Sequence, residues 1–172
     1  LNNQYQTYQY YHVAIDPQMG SNIVIGGAQD NGTTQGGTDL GFGDNTTHSD
    51  VFGGDGVAVS ISRDDPCTPF FFGSQNGNIV RDCPAGAFIT PTGSNSEFVT
   101  YWYLDPDNNN ALYYAGQDRL WRTTNSTTVT SGTWTNLGTT AILGDTDYFR
   151  SFATSRGPYT PASYLLCGGD EG

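Results

Sequence analysis

Four times along the chain an aromatic or aliphatic run ends in a glycine-rich turn of similar spelling. The four are Ile25-Gly26-Gly27-Ala28-Gln29-Asp30, Phe71-Phe72-Gly73-Ser74-Gln75-Asn76, Tyr113-Tyr114-Ala115-Gly116-Gln117-Asp118 and Leu165-Leu166-Cys167-Gly168-Gly169-Asp170. Gln29 to Gln75 is 46 residues, Gln75 to Gln117 is 42, and Asp118 to Asp170 is 52. That period lies in the range of β-propeller blades and is too long for leucine-rich or ankyrin units. A blade of this length cannot bury its own faces, and roughly four to eight are needed to close a ring. The expectation is an all-β fold: a partial β-propeller of about three to four blades, each a four-stranded antiparallel sheet, with blade repeats near 11–35, 51–83, 98–137 and 149–172. The chain starts at Leu1, and Gly172 interrupts the fourth copy. Residues 1–172 therefore read as a fragment of one propeller domain whose remaining blades, from the same parent chain, are its first expected partners.

No segment carries a sustained helical period with caps, whereas short apolar or alternating runs bounded by Gly, Asn, Asp and Pro recur throughout. In the first copy Tyr11–Ile15 and Asn22–Gly26 read as strands joined by Asp16-Pro17. In the third, Phe98–Leu104 and Ala111–Ala115 are joined by Asp105-Pro106, and Leu120–Thr123 follows. Proline presets φ in such turns, and the aspartate side chain can accept from the amides that follow. The second copy offers Gly56–Ser62, Phe70–Ser74 and Ile79–Arg81, the last two about Asn76-Gly77, a strong hairpin signal. The fourth offers Phe149–Thr154 and Ser163–Cys167. Thr33 to Asp50, rich in Gly, Thr and Asp with almost no apolar residues, reads as a long loop.

Charge excludes whole classes of partner. The six basic residues are all arginine, they stand against seventeen carboxylates, and the net charge is −11. Neither a phosphate backbone nor an anionic membrane surface suits such a chain, and no run of 18 apolar residues offers a membrane span. No nucleic acid and no membrane insertion are expected. Cys67 and Cys83 fall at the open end of the hairpin about Asn76-Gly77, where a disulfide and two reduced thiols are both compatible with the spacing. Cys167, inside an apolar run, reads as a small buried hydrophobe. A bridge would agree with the lysine-free, Thr/Asn/Gly-rich composition in placing the protein outside the cytoplasm, secreted or on the cell surface.

Several constellations can carry chemistry. Asp30, in the first turn, and Asp55, in Gly53-Gly54-Asp55-Gly56, can serve as the two carboxylates of a glycoside hydrolase if the fold sets them about 5–9.5 Å apart. Equally, each can satisfy turn amides in its own blade, and the recurrence of Gln-Asp at Gln117-Asp118 favours that architectural role. Asp39, Asp44, Asp50 and Asp55 fall within 17 residues. Hard oxygen ligands at such spacing suit a structural calcium, although the spacing is not that of an EF-hand; a solvated acidic loop is the plainer reading and no cofactor is required. His12 and His48 are too few for a zinc site. Trp102, Trp121 and Tyr148 can stack on sugar faces or fill the space between blades. Asn31, Asn45 and Asn125 each head an Asn-x-Ser/Thr acceptor pattern.

Asn125, followed by Gly132-Thr133-Trp134, resembles a degenerate Asp-box, the Ser/Thr-x-Asp-x-Gly-x-x-Trp hairpin of bacterial neuraminidase repeats. Together with the Asp-Pro turns, Gly53-Gly54-Asp55-Gly56 and Leu120-Trp121-Arg122-Thr123-Thr124-Asn125, the chain resembles secreted Asp-box propellers of the sortilin-like and xyloglucanase-like group. The resemblance covers most of the chain and implies an extracellular, six- to ten-bladed ring, seven-bladed in the first instance. It implies three functions in order of preference: a non-catalytic module presenting loops to a glycan or protein ligand, a fragment of an endo-glycoside hydrolase using paired aspartates, and a structural subunit of an extracellular assembly.

Overall fold

The computed structural model describes residues 8–44, 47–63, 70–83, 86–139 and 148–169. Among them the chain forms four antiparallel sheets in strict sequence order. The first is a meander of β1 (Tyr10–Ile15), β2 (Val24–Ala28), β3 (Gly32–Gly36) and β4 (His48–Phe52). The second is β5 (Gly56–Ile61), β6 (Phe70–Ser74), β7 (Asn78–Arg81) and β8 (Ala87–Phe88). The third is β9 (Trp102–Leu104), β10 (Leu112–Gly116), β11 (Arg119–Thr123) and β12 (Thr135–Thr139), and the fourth pairs β13 (Phe149–Thr154) with β14 (Leu165–Gly169). No helix among the described residues is long and apolar enough to cross a membrane.

The sheets stack face to face, and side-chain alternation assigns each residue to one interface. Val59, Ile61, Phe70, Phe72 and Val80 of the second sheet close against Ile23 and Ile25 of the first. From the opposite face Phe71 and Ile79 close against Trp102, Leu104, Leu112 and Tyr114 of the third. Successive side chains of a strand point to opposite faces, so a sheet covered on both sides tolerates a continuous apolar run. That is why Phe70, Phe71 and Phe72 can stand in line and all be buried. Ala115 and Leu120 of the third sheet meet Phe149 and Phe152 of the fourth, with half-buried Cys167 alongside; burial pushes that thiol's pKa up, as expected of a packing residue.

The 33–50 segment is not one long loop. Gly32–Gly36 and His48–Phe52 are strands, joined through a 3-10 turn at Thr38–Leu40. Large apolar side chains are absent because backbone meets backbone at this seam. A Cβ on Gly27 would lie 2.1 Å from the Val57 carbonyl oxygen, and one on Gly56 would lie 2.1 Å from that of Gly32. Thr33 and Thr34 fill what space remains and are buried. Val51 and Phe52, grouped by sequence with the second copy, belong to the first sheet. In the third copy the strand begins only at Trp102.

The 1–2 turns of the first and third sheets share one mechanism. Asp16 accepts from Gln18 N–H (2.9 Å) and Ser21 Oγ (2.6 Å), and Asp105 accepts from Asp107 N–H (2.9 Å) and Asn108 N–H (3.2 Å). At the same station the second and fourth sheets carry Ser62-Arg63 and Ser155-Arg156, and each arginine reaches back to the preceding sheet. Arg63 pairs with Asp16, and Arg156 grips Asp107 through both Nε (2.7 Å) and Nη2 (2.8 Å). The Arg156 hydrogen bonds and the Gly157 N–H (2.6 Å) hold the Asp107 pKa down to about 2.

His12, on β1, accepts from Val59 N–H of β5 at 3.4 Å, and partial desolvation where the exposed ring meets the second sheet holds its pKa below the usual value. The unfolded chain therefore binds the proton more readily. Stability is expected to fall as pH drops below about 6.5 toward the folded-state pKa. Urea midpoints measured between pH 7.5 and 5 should show this slope, and His12→Gln, which keeps an acceptor without titrating, should flatten it.

Candidate functional site

The end of each sheet that carries the 2–3 turn gathers the repeated motif. Gln29, Gln75 and Gln117 occupy one station, the turn joining second to third strand, in three separate sheets. Their amides turn back to the segment that leads into the first strand of their own sheet: Gln29 N–H to Gln9 O (2.9 Å), Gln75 N–H to Asp55 O (3.1 Å) and Gln117 N–H to Asn95 O (3.0 Å). The next residue in the first two turns has positive φ, 58° at Asp30 and 63° at Asn76. This left-handed geometry, which Asp and Asn tolerate, aims its N–H at the following sheet. Asp30 N–H donates to Asp55 Oδ1 (2.8 Å), and Asn76 N–H donates to Phe98 O (3.1 Å). Asp55 N–H in turn donates to Gln75 Oε1 (2.9 Å).

Asp30 and Asp55 are thus brought together, but as donor backbone and acceptor side chain of one turn-to-turn link. Asp30 is exposed and borders a shallow depression of about 330 Å3 with Tyr8, Gln9, Gln29 and Asn31. Of the candidate sugar-stacking rings, Trp102 is buried in the core between second and third sheets, edge-on to Phe71 at 6.4 Å. Trp121 packs against that same core. Tyr148 lies under the Arg150 guanidinium at 5.6 Å, and Arg150 also pairs with Glu97. The three rings do not share a groove with Asp30.

The four acidic candidates for calcium are spread along the first sheet and its exit. Asp39 accepts from Asn22 N–H (3.0 Å) at the 1–2 turn end, and Asp44 accepts from Thr47 N–H (2.7 Å). Asp50 stands on β4 opposite Thr34. Asp55 sits at the other end of the sheet, a strand length of about 16 Å away. Among the described residues no group of three or more His, Cys, Asp or Glu side chains is placed to hold a metal ion. Cys83 is disulfide-bonded and Cys167 is free; Cys67 lies outside the described residues, as does Asn45. Asn125 accepts from Thr127 Oγ1 (3.0 Å), and Trp134 Nε1–H donates to Ile89 O (2.6 Å), its ring wedged between second and third sheets.

Sequence reasoning passed over a second feature. At the 1–2 turn end, the third and fourth sheets part to leave a cleft of about 140 Å3 lined by Tyr113, Arg122, Leu137, Tyr159, Tyr164 and Leu165. Tyr113 and Arg122 are cross-strand partners on one face. Arg122 Nε is buried there with no hydrogen-bond partner, and burial pushes the Tyr113 pKa up. Its sequence signal was positional: Arg122 follows Gln117 much as Arg81 follows Gln75. No protein-family model matches the chain, and neither a curated protein nor a solved structure matches it.

Proposed function

We propose that this chain is an arc of an extracellular or cell-surface β-propeller of the Asp-box, sortilin-like and xyloglucanase-like kind. In this reading it works as a module that presents loops to a glycan or protein ligand without catalysis of its own. The observation that carries the reading is the quasi-equivalence of the sheets. Three four-stranded meanders and a two-stranded hairpin follow one another among the described residues, each packed on the last, with β5 against β1 and β2, and β9 against β5 and β13. First strands that neighbour one another, β1 with β5, β5 with β9 and β9 with β13, are what radial repetition about an axis requires. The open face of the first sheet points the same way. Val13 and Ile15 of β1 are 50% and 68% exposed, whereas their counterparts Val59 and Ile61 are 0% and 5% exposed. A further blade of the parent protein is the natural cover for such a stripe.

The absence of catalysis rests on the use to which the aspartates are put. Asp55 accepts a backbone amide and its own amide and carbonyl engage Gln75, which makes it a fastener between turns. The adjacency of Asp30 and Asp55 is nonetheless the one observation favouring a glycoside hydrolase, and it sets the test. Incubated with a panel of β-glucans, the complete protein is expected to release no new reducing ends. Product release by the wild type that disappears in both Asp30→Asn and Asp55→Asn, with folding intact, would overturn the non-catalytic reading.

A further inference from the structure

Two of the Asn-x-Ser/Thr tripeptides lie wholly within the described residues, and the fold presents them in opposite ways. Asn125-Ser126-Thr127 opens the connection between β11 and β12, at the 1–2 turn end of the third sheet. Its middle residue is the anchor. Ser126 is 0% exposed, its N–H donates to Asn110 O (3.0 Å) and its hydroxyl donates to Asn109 O (2.6 Å). The flanking side chains are thereby turned outward: Thr127 Oγ1 donates to Asn125 Oδ1 (3.0 Å), and the exposed Asn125 keeps Nδ2 without a partner among the described residues. The backbone here is closed on itself, with Asn125 N–H donating to Thr123 Oγ1 (3.1 Å) and Thr128 N–H to Asn125 O (3.3 Å). The second and fourth sheets flank the third, so the exposure of this connection does not depend on chain outside residues 1–172. In Asn31-Gly32-Thr33 the amide nitrogen is engaged instead, Asn31 Nδ2 donating to Gln29 O (2.8 Å). Thr33 is 0% exposed, and its buried hydroxyl has no partner, so it does not reach Asn31.

We propose that Asn125 is a site of N-linked glycosylation in the folded protein, with a lipid-pyrophosphate-linked oligosaccharide as the sugar donor. Asn125 Nδ2 attacks the anomeric carbon of the donor. The N–C bond forms, the C–O bond to the pyrophosphate breaks with its electron pair leaving on the lipid pyrophosphate, and one amide proton passes to a base of the transferase. As that proton departs, negative charge builds on Oδ1, where the Thr127 hydroxyl already donates and stabilises it. A glycan is bulky and needs open surface. At the 1–2 turn end it has that surface and leaves the 2–3 turns of Gln29, Gln75 and Gln117, at the opposite end of the sheets, uncovered for a ligand. The inference rests on the extracellular part of the proposed function, because such donors act on chains that leave the cytoplasm.

The test uses the folded 172-residue protein, carrying Asn45→Gln so that Asn31 and Asn125 are its acceptor asparagines. It is incubated with a purified single-subunit oligosaccharyltransferase and a lipid-pyrophosphate-linked oligosaccharide, and glycopeptides are mapped by mass spectrometry. Synthetic peptides of residues 26–36 and 120–130 report how the same enzyme treats each tripeptide without the fold. Both peptides are expected to be modified, whereas the folded protein is expected to carry glycan at Asn125 and not at Asn31. Thr127→Val is expected to lower Asn125 occupancy about tenfold, the effect of losing one hydroxyl hydrogen bond at the reacting amide. Thr127→Ser is expected to retain it. No transfer to Asn125 in the folded protein overturns the assignment, and so does equal occupancy of Asn31 and Asn125. Because transfer to purified protein is independent of compartment, its failure leaves the extracellular reading standing. Transfer to Asn125 in a protein that fractionation of its source places in the cytoplasm overturns that reading instead.

Discussion

Gly27→Ala is expected to disrupt the interface between the first two sheets and to cost about 3–5 kcal/mol, at the upper end of what overpacking does. The reason is geometric. The added methyl group would sit 2.1 Å from the Val57 carbonyl oxygen and 2.8 Å from the Val57 nitrogen and the Gly56 carbonyl carbon. All three obstacles are backbone, so no side chain can rotate away, and the second sheet must move as a body. Gly56→Ala strikes the same seam from the other side, 2.1 Å from the Gly32 oxygen and 2.7 Å from the Gly27 Cα. Because either change alone separates the sheets, the double variant should lose far less than the sum. Gly53→Ala is the control: its Cβ meets nothing within 4 Å, and its effect should stay within about 0.5 kcal/mol. Urea midpoints give the energies, and amide exchange should show protection lost in the first two sheets before the third. A Gly27→Ala midpoint equal to that of the wild type would mean that the seam is not closed as described.

What the sequence discloses follows the range of the interaction that decides each feature. The Asn76-Gly77 hairpin joins Phe70–Ser74 to Asn78–Arg81 as its spelling requires, and the Asp-Pro turns are local devices closed by Asp16 and Asp105 within three to five residues. Such features depend on neighbours in the chain and can be read from it. The seam at Gly27, Gly32 and Gly56 cannot, because glycine-rich, apolar-poor sequence signals a loop unless one knows that another backbone presses against it. Trp102 illustrates the same limit. A ring in a strand can face a neighbouring sheet or solvent, and only the position of Phe71 decides that it faces a sheet.

The candidate site divides along the same line. That Gln29, Gln75 and Gln117 are architectural is suggested by their recurrence, since a residue repeated in three of the four units serves the unit. That Asp55 fastens Asp30 of the previous sheet is a contact across 25 positions and has no local signature. The arginines lie between these cases. Arg63 and Arg156 stand in alternate sheets where proline stands in the others, a pattern visible in sequence once the repeats are aligned on Asp16, Ser62, Asp105 and Ser155. With a net charge of −11, and with Arg63 and Arg81 engaged between sheets, the surface is strongly acidic. That surface disfavours polyanionic ligands and directs any glycan reading toward neutral sugars.

Tyr114 separates packing from hydrogen bonding in the largest interface. Its side chain is fully buried between second and third sheets, tilted against Trp134 at a centroid distance of 6.1 Å, and its hydroxyl donates to Gly77 O at 2.7 Å. Tyr114→Ala removes the ring from a site flanked by Phe71, Ile79 and Leu112, and is expected to cost about 3–5 kcal/mol. Tyr114→Phe removes only the hydroxyl. Gly77 O retains the Thr90 hydroxyl at 3.2 Å, so the carbonyl is not orphaned and the loss should be near the ordinary value of about 1 kcal/mol. The pH dependence offers an independent check. Burial pushes the Tyr114 pKa up to about 12, against about 10 in the unfolded chain. Between those values the native state holds a proton that the unfolded state has released, so stability attributable to this group is intact below pH 10 and lost as pH rises toward 12. Tyr114→Phe should be less stable than the wild type at pH 8 and decline less steeply with alkali. A Phe variant as damaging as the Ala variant would show that the bond to the Gly77 turn, and not the ring, holds the second and third sheets together.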